Sequence, residues 1–306
     1  MPINYDKLYE EQLREMSDIL ELINYRPRTI ESYLNSISEC CEWLDNTYGI
    51  SINDASIFQL RAFLAYLHRP ADEGGRDLKP RSVNIYNCAI KKYLQYVLRR
   101  EVTSRDLPTM KVDNPLPKVP GRKEAATLIM GTHNPKHRLM LALAYGCALR
   151  MTEVITLRFG DISFSRGLVT IRAENSKNRH EETVELPDNL KKLLKDYYYR
   201  CMRGAKPDDW LFPGQKAGTH ISKGTPGRVI RKRLEELGWA SRGYTFHSLR
   251  HAHALHYYLA GADIYQVQVR LRHRTVSSTT IYIRLAGRLQ ERRHIENPFD
   301  DPAFKN

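Results

Sequence analysis

The sequence predicts a mainly α-helical protein in two parts: an N-terminal helical bundle and a helix-rich second domain carrying a small antiparallel sheet. Three observations predict it. Apolar residues recur at helical spacing through most of the chain, strand-like segments are confined to one short region, and a proline-rich stretch separates halves of different charge. With 306 residues, 42% of them hydrophobic, the chain can fill two cores.

Each element follows in order. A first helix is expected over about Tyr5–Ile23. A second follows Arg28-Thr29 and runs to about Tyr48, with Ile30, Tyr33, Leu34, Ile37, Cys41 and Leu44 on one face. A third, from about Asp54, carries Ile57, Leu60, Phe63, Leu64 and Leu67. A fourth starts after Pro80 and carries Val83, Tyr86, Ile90, Leu94 and Val97. Four amphipathic helices with short connections make a bundle, read as domain 1–112. Leu107–Gly121 holds Pro108, Pro115, Pro117 and Pro120, a density that blocks helix and central strand alike. Residues 113–121 are read as the linker, and 122–306 as the second domain with a C-terminal tail.

In the second domain Pro135–Leu149 reads as one strongly apolar helix, closed by Arg150. Gly167–Ala173 and Glu182–Leu186 read as a hairpin with a polar tip. Asp188–Arg203, Arg228–Leu237 and Phe246–Ala260 read as helices, the last stopped by Gly261. Ile264, Val267 and Leu271 mark another. Ser277–Leu285 reads as a final helix capped by Ser277 or Ser278.

The net charge of +13 is uneven. Residues 1–120 hold 16 Lys and Arg against 17 Asp and Glu, whereas residues 121–306 hold 32 against 18. A basic excess confined to one domain points to a polyanionic partner, nucleic acid before a membrane surface. Lys79, Arg81, Lys91 and Lys92 in the bundle, with Arg228, Arg231, Lys232 and Arg272 beyond it, are the candidate DNA contacts, although the bundle residues taken alone read first as a solvated helix surface. Cysteines 40, 41, 88, 147 and 201 form no Cys-x-x-Cys and lie in apolar, helix-like contexts, so they read as buried thiols of a reducing cytosol. The N-terminus shows no basic-then-apolar signal, and the apolar run Leu139–Leu149 is too short to span a bilayer. A cytoplasmic protein is expected.

The chemistry gathers around His247-Ser-Leu-Arg-His251, with Tyr282 following and Arg150 far upstream in Ala-Leu-Arg-Met-Thr-Glu. Two arginines can clamp an anionic phosphate, and a tyrosine beside them can attack it. His247 and Arg250, at i and i+3, share a face near the start of their helix. Glu153 can hold Arg150 by an ion pair. Lys177, at the hairpin tip, can protonate a leaving oxygen. Taken singly, each is better explained by a salt bridge, a cap, a core tyrosine or a solvated lysine. No metal is expected. His247, His251, His253, His256 and His273 crowd one region, but there is no His-Glu-x-x-His and no cysteine or carboxylate completes a set. No phosphate-cradling Gly-x-x-x-x-Gly-Lys loop is present either.

In their order these residues resemble one family, the tyrosine recombinases or phage-type integrases. Tyr145–Asp161 is similar to that family's first box, which places its arginine on Arg150 and its acidic residue on Glu153. The hairpin lysine falls on Lys177. The second box, His-x-Leu-Arg-His, falls on His247 to His251, with Arg250 its arginine. Leu271-Arg272-His273 resembles the Leu-Gly-His element, and the nucleophile falls on Tyr282, nine residues further on. The resemblance extends to the bundle, which looks like the SAM-like core-binding domain of the family. Two positions depart from the pattern. His253 stands where an apolar aromatic is common. Arg272 stands where glycine is usual, which reads as a less constrained backbone or a gained phosphate contact.

The resemblance implies a site-specific recombinase. Tyr282 would attack a DNA phosphate and form a 3′-phosphotyrosyl bond. Arg150 and Arg250 would stabilise the charge on the non-bridging oxygens, with His273 adding a donor. Lys177 would protonate the 5′-hydroxyl and His247 would assist proton transfer at Tyr282. The covalent link keeps the bond energy, so no cofactor is implied. The partners implied are double-stranded DNA with short core sites and three further protomers in a synaptic tetramer, with the tail Arg284–Asn306 a candidate for packing on a neighbour. A chain beginning almost at the bundle leads to the expectation of a compact form without an arm-binding domain. Two other readings stay open: a strand passer or hairpin-forming resolvase with the same chemistry, and a catalytically silent DNA-binding protein.

Overall fold

The computed structural model describes residues 5–176 and 178–288, with side-chain environments from residue 9 onward. The chain divides into two units between Asn114 and Pro115.

Among the described residues the first unit holds four α-helices: α1 (Tyr5–Leu22), α2 (Pro27–Tyr48), α3 (Ile57–His68) and α4 (Pro80–Tyr96). Their starts follow local chemistry. Pro27 and Pro80 occupy the first turns of α2 and α4, where a missing N–H costs nothing. Ser56 and Gln59 form a reciprocal capping box at α3. Gly49, at φ 65, ends α2 in the left-handed conformation that glycine adopts without strain. Ile30, Ile37, Cys40 and Leu44 of α2 meet Val83, Ile90 and Leu94 of α4, with Leu60, Phe63 and Leu67 of α3 closing the core. Trp43 stacks on Tyr66, ring centroids 5.5 Å apart. Residues 108–121 carry neither helix nor strand. The start of this stretch is tied back to α4: Asn84 exchanges hydrogen bonds with Met110, and the Asn87 Nδ2 donates to the Pro108 carbonyl.

The second unit is built around α6 (Pro135–Gly146). Leu139 to Ala144 are all buried, and the helix touches α5 (Arg122–Met130), α8 (Asp188–Cys201), α9 (Thr225–Glu236) and α10 (Phe246–Leu259). A helix that is apolar all round belongs at the centre of its domain. The sheet has three antiparallel strands in sequence order: β1 (Ile162–Ser163), β2 (Leu168–Ile171) and β3 (Glu182–Glu185), with Val169 opposite Val184. Short α7 (Met151–Ile155) follows α6, and α11 (Ile264–Leu271) and α12 (Ile281–Arg288) follow α10. Val267, Leu271, Tyr282 and Leu285 form a smaller cluster with Ala254, Leu255 and Ala148.

Several expectations are corrected. The apolar run Pro135–Leu149 is not one helix. It ends at Gly146, Ala148 takes φ 50, and Arg150 is the N-cap of α7. Helix α5 and strand β1 were not anticipated: the first is short and abuts prolines, and the second is two residues long. α12 starts at Ile281, and Val276–Ser278 forms a separate 3₁₀ turn, so neither Ser277 nor Ser278 caps it. Cys40 and Cys147 are buried, but Cys88 and Cys201 are exposed, because they fall on the outer faces of α4 and α8. Among the described residues no helix is long and apolar enough to cross a membrane. The tail beyond Arg288 lies outside the described residues.

Candidate active site

Glu153 is the hub of the site. It is 1% exposed, and its carboxylate meets three guanidinium groups. Arg150 Nη1 lies 2.6 Å from Oε1, Arg272 Nη2 2.6 Å from Oε2, and Arg250 Nη1 3.9 Å from Oε2. Oε2 also accepts the Arg150 backbone N–H at 2.7 Å, so one side chain caps α7 and gathers the arginines. Burial pushes the Glu153 carboxyl up, but the charges of Arg272, Arg150 and Arg250 outweigh it and hold the group below its ordinary range.

Arg250 is 2% exposed on α10. Its guanidinium donates to the Ala148 and Leu271 carbonyls, fastening α10 to the α6–α7 connection and to the end of α11. Burial, then the neighbouring charges of Arg150 and Arg272, push it down to about 9. It therefore stays protonated at neutral pH. Arg150 donates from Nη2 to the Arg272 carbonyl at 3.1 Å.

Arg272 corrects both readings made of it. Its backbone is at φ 54, ψ 47, the left-handed position a glycine would take, so the turn is as tight as with glycine and costs about 1–2 kcal/mol more. Its side chain is not a free phosphate contact. It is 5% exposed, with Nη2 on Glu153 and Nε 3.4 Å from Glu182 Oε2. A buried guanidinium needs such partners, and they keep it from the surface.

Lys177 lies outside the described residues. Its neighbours are held by Glu182 at the start of β3: Ser176 Oγ donates to Oε2 and Asn178 Nδ2 to Oε1, both at 2.9 Å. Asn178 Nδ2 also reaches the Arg272 carbonyl at 3.2 Å. An open cleft of about 540 Å³ runs past Asn178, Glu182, Gln268, Arg272 and His273.

Tyr282, on α12, is 1% exposed, and its Oη lies 2.8 Å from His251 Nδ1. Burial pushes the phenol up to about 12, against the lowering pull of Arg250. Burial also pushes His251 down to about 4, helped by the charges of His247 and Arg250. Both groups are therefore neutral near pH 7, and the phenol donates to the imidazole in the tautomer that carries its proton on Nε2. The expected proton partner was His247. The structure instead sets His251 on Tyr282, with the exposed His247 edge-on to it at 5.0 Å between ring centroids. His247 and Arg250 share a helix but not an environment, because only Arg250 turns inward. His273 Nδ1 lies 2.9 Å from Thr279 Oγ1. His253 contacts Arg270 at 3.3 Å, and His256 contacts Tyr145 at 3.0 Å. No cluster of His, Cys, Asp or Glu able to hold a metal is found among the described residues.

Three contributors escaped the sequence reading: Glu182, Asn178 and Thr279. Their only signal is proximity to Lys177 and Tyr282 in the chain. Of the other basic candidates, Arg228, Arg231 and Lys232 are exposed on α9. Arg228 and Lys232 line an open cleft of about 930 Å³ with Lys136, Lys216 and Arg233. In the first unit Lys79 and Arg81 are exposed at the start of α4, while Lys91 and Lys92 are half-buried. Lys92 rests on Tyr96, 4.8 Å from the ring centroid.

Comparisons with known proteins agree with one another. Residues 122–288 match the model of the phage integrase family, and residues 9–101 match the phage integrase N-terminal SAM-like domain. The putative integrase/recombinase y4qK of Sinorhizobium fredii is 30% identical over 274 residues, spanning 89% of this chain and 84% of that protein. The tyrosine recombinase XerD of Pseudomonas putida is 29% identical over 275 residues, 85% of this chain and 88% of that one. Among solved structures, XerH site-specific recombinase bound to its difH substrate superposes with a TM-score of 0.64 at 20% identity, covering 85% of this chain and 79% of that one. The Tn1549 transposon integrase in complex with circular intermediate DNA gives 0.64 at 14% identity, covering 92% and 99%. These two show a shared fold. With both family models matched in order, the catalytic-domain model alone over residues 122–288, the chain belongs to the phage integrase family, the tyrosine recombinases.

Proposed function

We propose that the protein cleaves and rejoins DNA at specific sites through a covalent tyrosine intermediate. The observation that carries this reading is the guanidinium cluster beside Tyr282. Three guanidiniums share two carboxylates, Glu153 and Glu182, which leaves a buried positive excess suited to a phosphodiester. Tyr282 Oη attacks phosphorus, the P–O5′ bond breaks, and a 3′-phosphotyrosyl link forms. The phenolic proton passes to the neutral His251. Arg150 and, from its buried position, Arg250 stabilise the charge on the non-bridging oxygens, His273 adds a donor, and Lys177 gives a proton to the departing 5′ oxygen. An incoming 5′-hydroxyl reverses the step, and from another duplex this exchanges strands.

The two structural neighbours solved with DNA or a recombination substrate support double-stranded DNA as partner. Arg228, Arg231 and Lys232, with Lys79, Arg81, Lys91 and Lys92 in the first unit, are the basic residues assigned to its backbone. Four copies acting on two sites, in the cytoplasm, complete the reading.

The test is a covalent adduct. Nicked duplexes carrying any inverted repeats found in the DNA flanking the gene should give a protein–DNA species that survives denaturant. Tyr282→Phe should abolish it while DNA affinity stays within about threefold, and affinity should fall steeply with salt. Binding without any adduct from the unmodified protein would leave a silent DNA-binding protein instead.

A further inference from the structure

We infer that Arg272 is a positioning residue for the leaving-group side of the reaction: it clasps the β2–β3 turn to the arginine cluster. The inference rests on the reading of Lys177 as proton donor. The geometry is two-ended. Arg272 Nη2 is fixed on Glu153 Oε2 at 2.6 Å, and Nε faces Glu182 Oε2 at 3.4 Å. Glu182 in turn takes hydrogen bonds from Ser176 and Asn178, the residues on either side of position 177. A second link runs through the main chain, where the Arg272 carbonyl accepts from Arg150 Nη2 at 3.1 Å and from Asn178 Nδ2 at 3.2 Å.

The site accepts two liabilities for this. A non-glycine residue stands at φ 54, where glycine would be unstrained, and a guanidinium is buried with both Nη1 and Nε lacking a hydrogen-bond partner, so that Nε meets Glu182 as an ion pair alone. Neither is needed to hold Arg150, which has its own bond to Glu153. What glycine at 272 could not supply is the side-chain bridge from Glu153 to Glu182. A lysine could not supply it either, since a single ammonium lacks the spread of the guanidinium fork.

If the clasp sets the turn that carries the general acid, its loss should matter only when the leaving group needs a proton. A 5′-bridging phosphorothiolate duplex tests this. There a P–S bond breaks, and a thiol of pKa about 8.5 leaves as thiolate without protonation. Adduct formation is measured for Arg272→Gly, Arg272→Lys and Glu182→Ala on oxygen and sulfur versions of one nicked duplex. Amide exchange over residues 172–182 is followed in the same full-length proteins.

On the oxygen duplex each variant should slow at least tenfold, within the roughly 10²–10⁴-fold a general acid contributes. On sulfur each should return to within about threefold of the unsubstituted protein, and exchange at 172–182 should quicken. Equal slowing on both duplexes would overturn the inference, and so would unchanged exchange with unchanged rates. Glu182→Ala decides the matter if Arg272→Gly does not fold, because it leaves the Arg272–Glu153 pair intact. Lys177→Ala separates the two layers. If sulfur does not rescue it, the assignment of the proton donor falls. If sulfur rescues it but not the clasp variants, only the clasp falls.

Discussion

The two units of this chain bury opposite things. The interior of the N-terminal bundle is almost entirely hydrocarbon, relieved by Ser36 and Asn87. The interior of the second unit encloses Glu153, Arg250 and Arg272 within contact of an apolar core. Hydrocarbon burial stabilises by about 1.5–3 kcal/mol for each large side chain. Buried charge costs several kcal/mol per ion unless geometry returns it. The first interior is explained by stability alone. The second is not, and on the proposed function a phosphate's charge would complete the arrangement.

The contrast is broken most directly at Glu153. Glu153→Gln removes the charge between three guanidiniums, and the second unit should lose about 3–5 kcal/mol in denaturant unfolding. Phosphate or sulfate in the buffer should return part of that loss, because an anion replaces the missing charge. A loss below 1 kcal/mol would mean that the cluster is solvated and the contrast unfounded.

In the bundle, Leu44→Ala should cost about 2–5 kcal/mol through a cavity that no anion relieves. Adduct yield per folded molecule should be unchanged. Anion-dependent recovery here would erase the distinction between the units.

The remaining test is an acid slope. Burial, with Arg250, Arg270 and Arg122 as secondary causes, holds His251, His253 and His256 each near 4, and all three lie in the second unit. In the unfolded chain they titrate near 6.5. Between about pH 6.5 and 4 the unfolded chain binds protons that the folded rings refuse. Stability therefore falls as pH drops through that window and levels off below it. The Tm should decline by roughly 2–4 °C for each kcal/mol lost, and His256→Gln should make the slope shallower.

How much of this was legible beforehand follows the same division. The bundle was readable because apolar spacing is a direct record of which face is buried: Ile30, Ile37 and Leu44 lie in the core as their spacing implies. In the second unit the motif order located Arg150, Glu153, His251, Arg250 and Tyr282, but not what each touches. The run Leu139–Leu149 concealed a break, because burial on all sides leaves no periodicity to interrupt and only the φ of Ala148 marks the turn. Spacing alone did not separate His247 from His251. Which of two histidines one turn apart meets a tyrosine 31 residues later depends on how α10 and α12 pack. Arg272 was misread for a related reason. A positive φ on a residue with a side chain is sustained by long-range partners, here Glu153 and Glu182, that no local pattern records.

The burial of Tyr282 has a kinetic consequence. On the proposed reading of Tyr282 as nucleophile, a side chain only 1% exposed is closed to a phosphodiester, so α12 would have to give way before the phenol is used. The observed rate is then the intrinsic rate multiplied by the fraction of molecules in which the residue is uncovered. Every 1.4 kcal/mol that favours the covered form slows idle strand scission tenfold. Contacts that favour the uncovered form restore the rate by the same factor, so timing can be adjusted at residues that never meet the scissile bond.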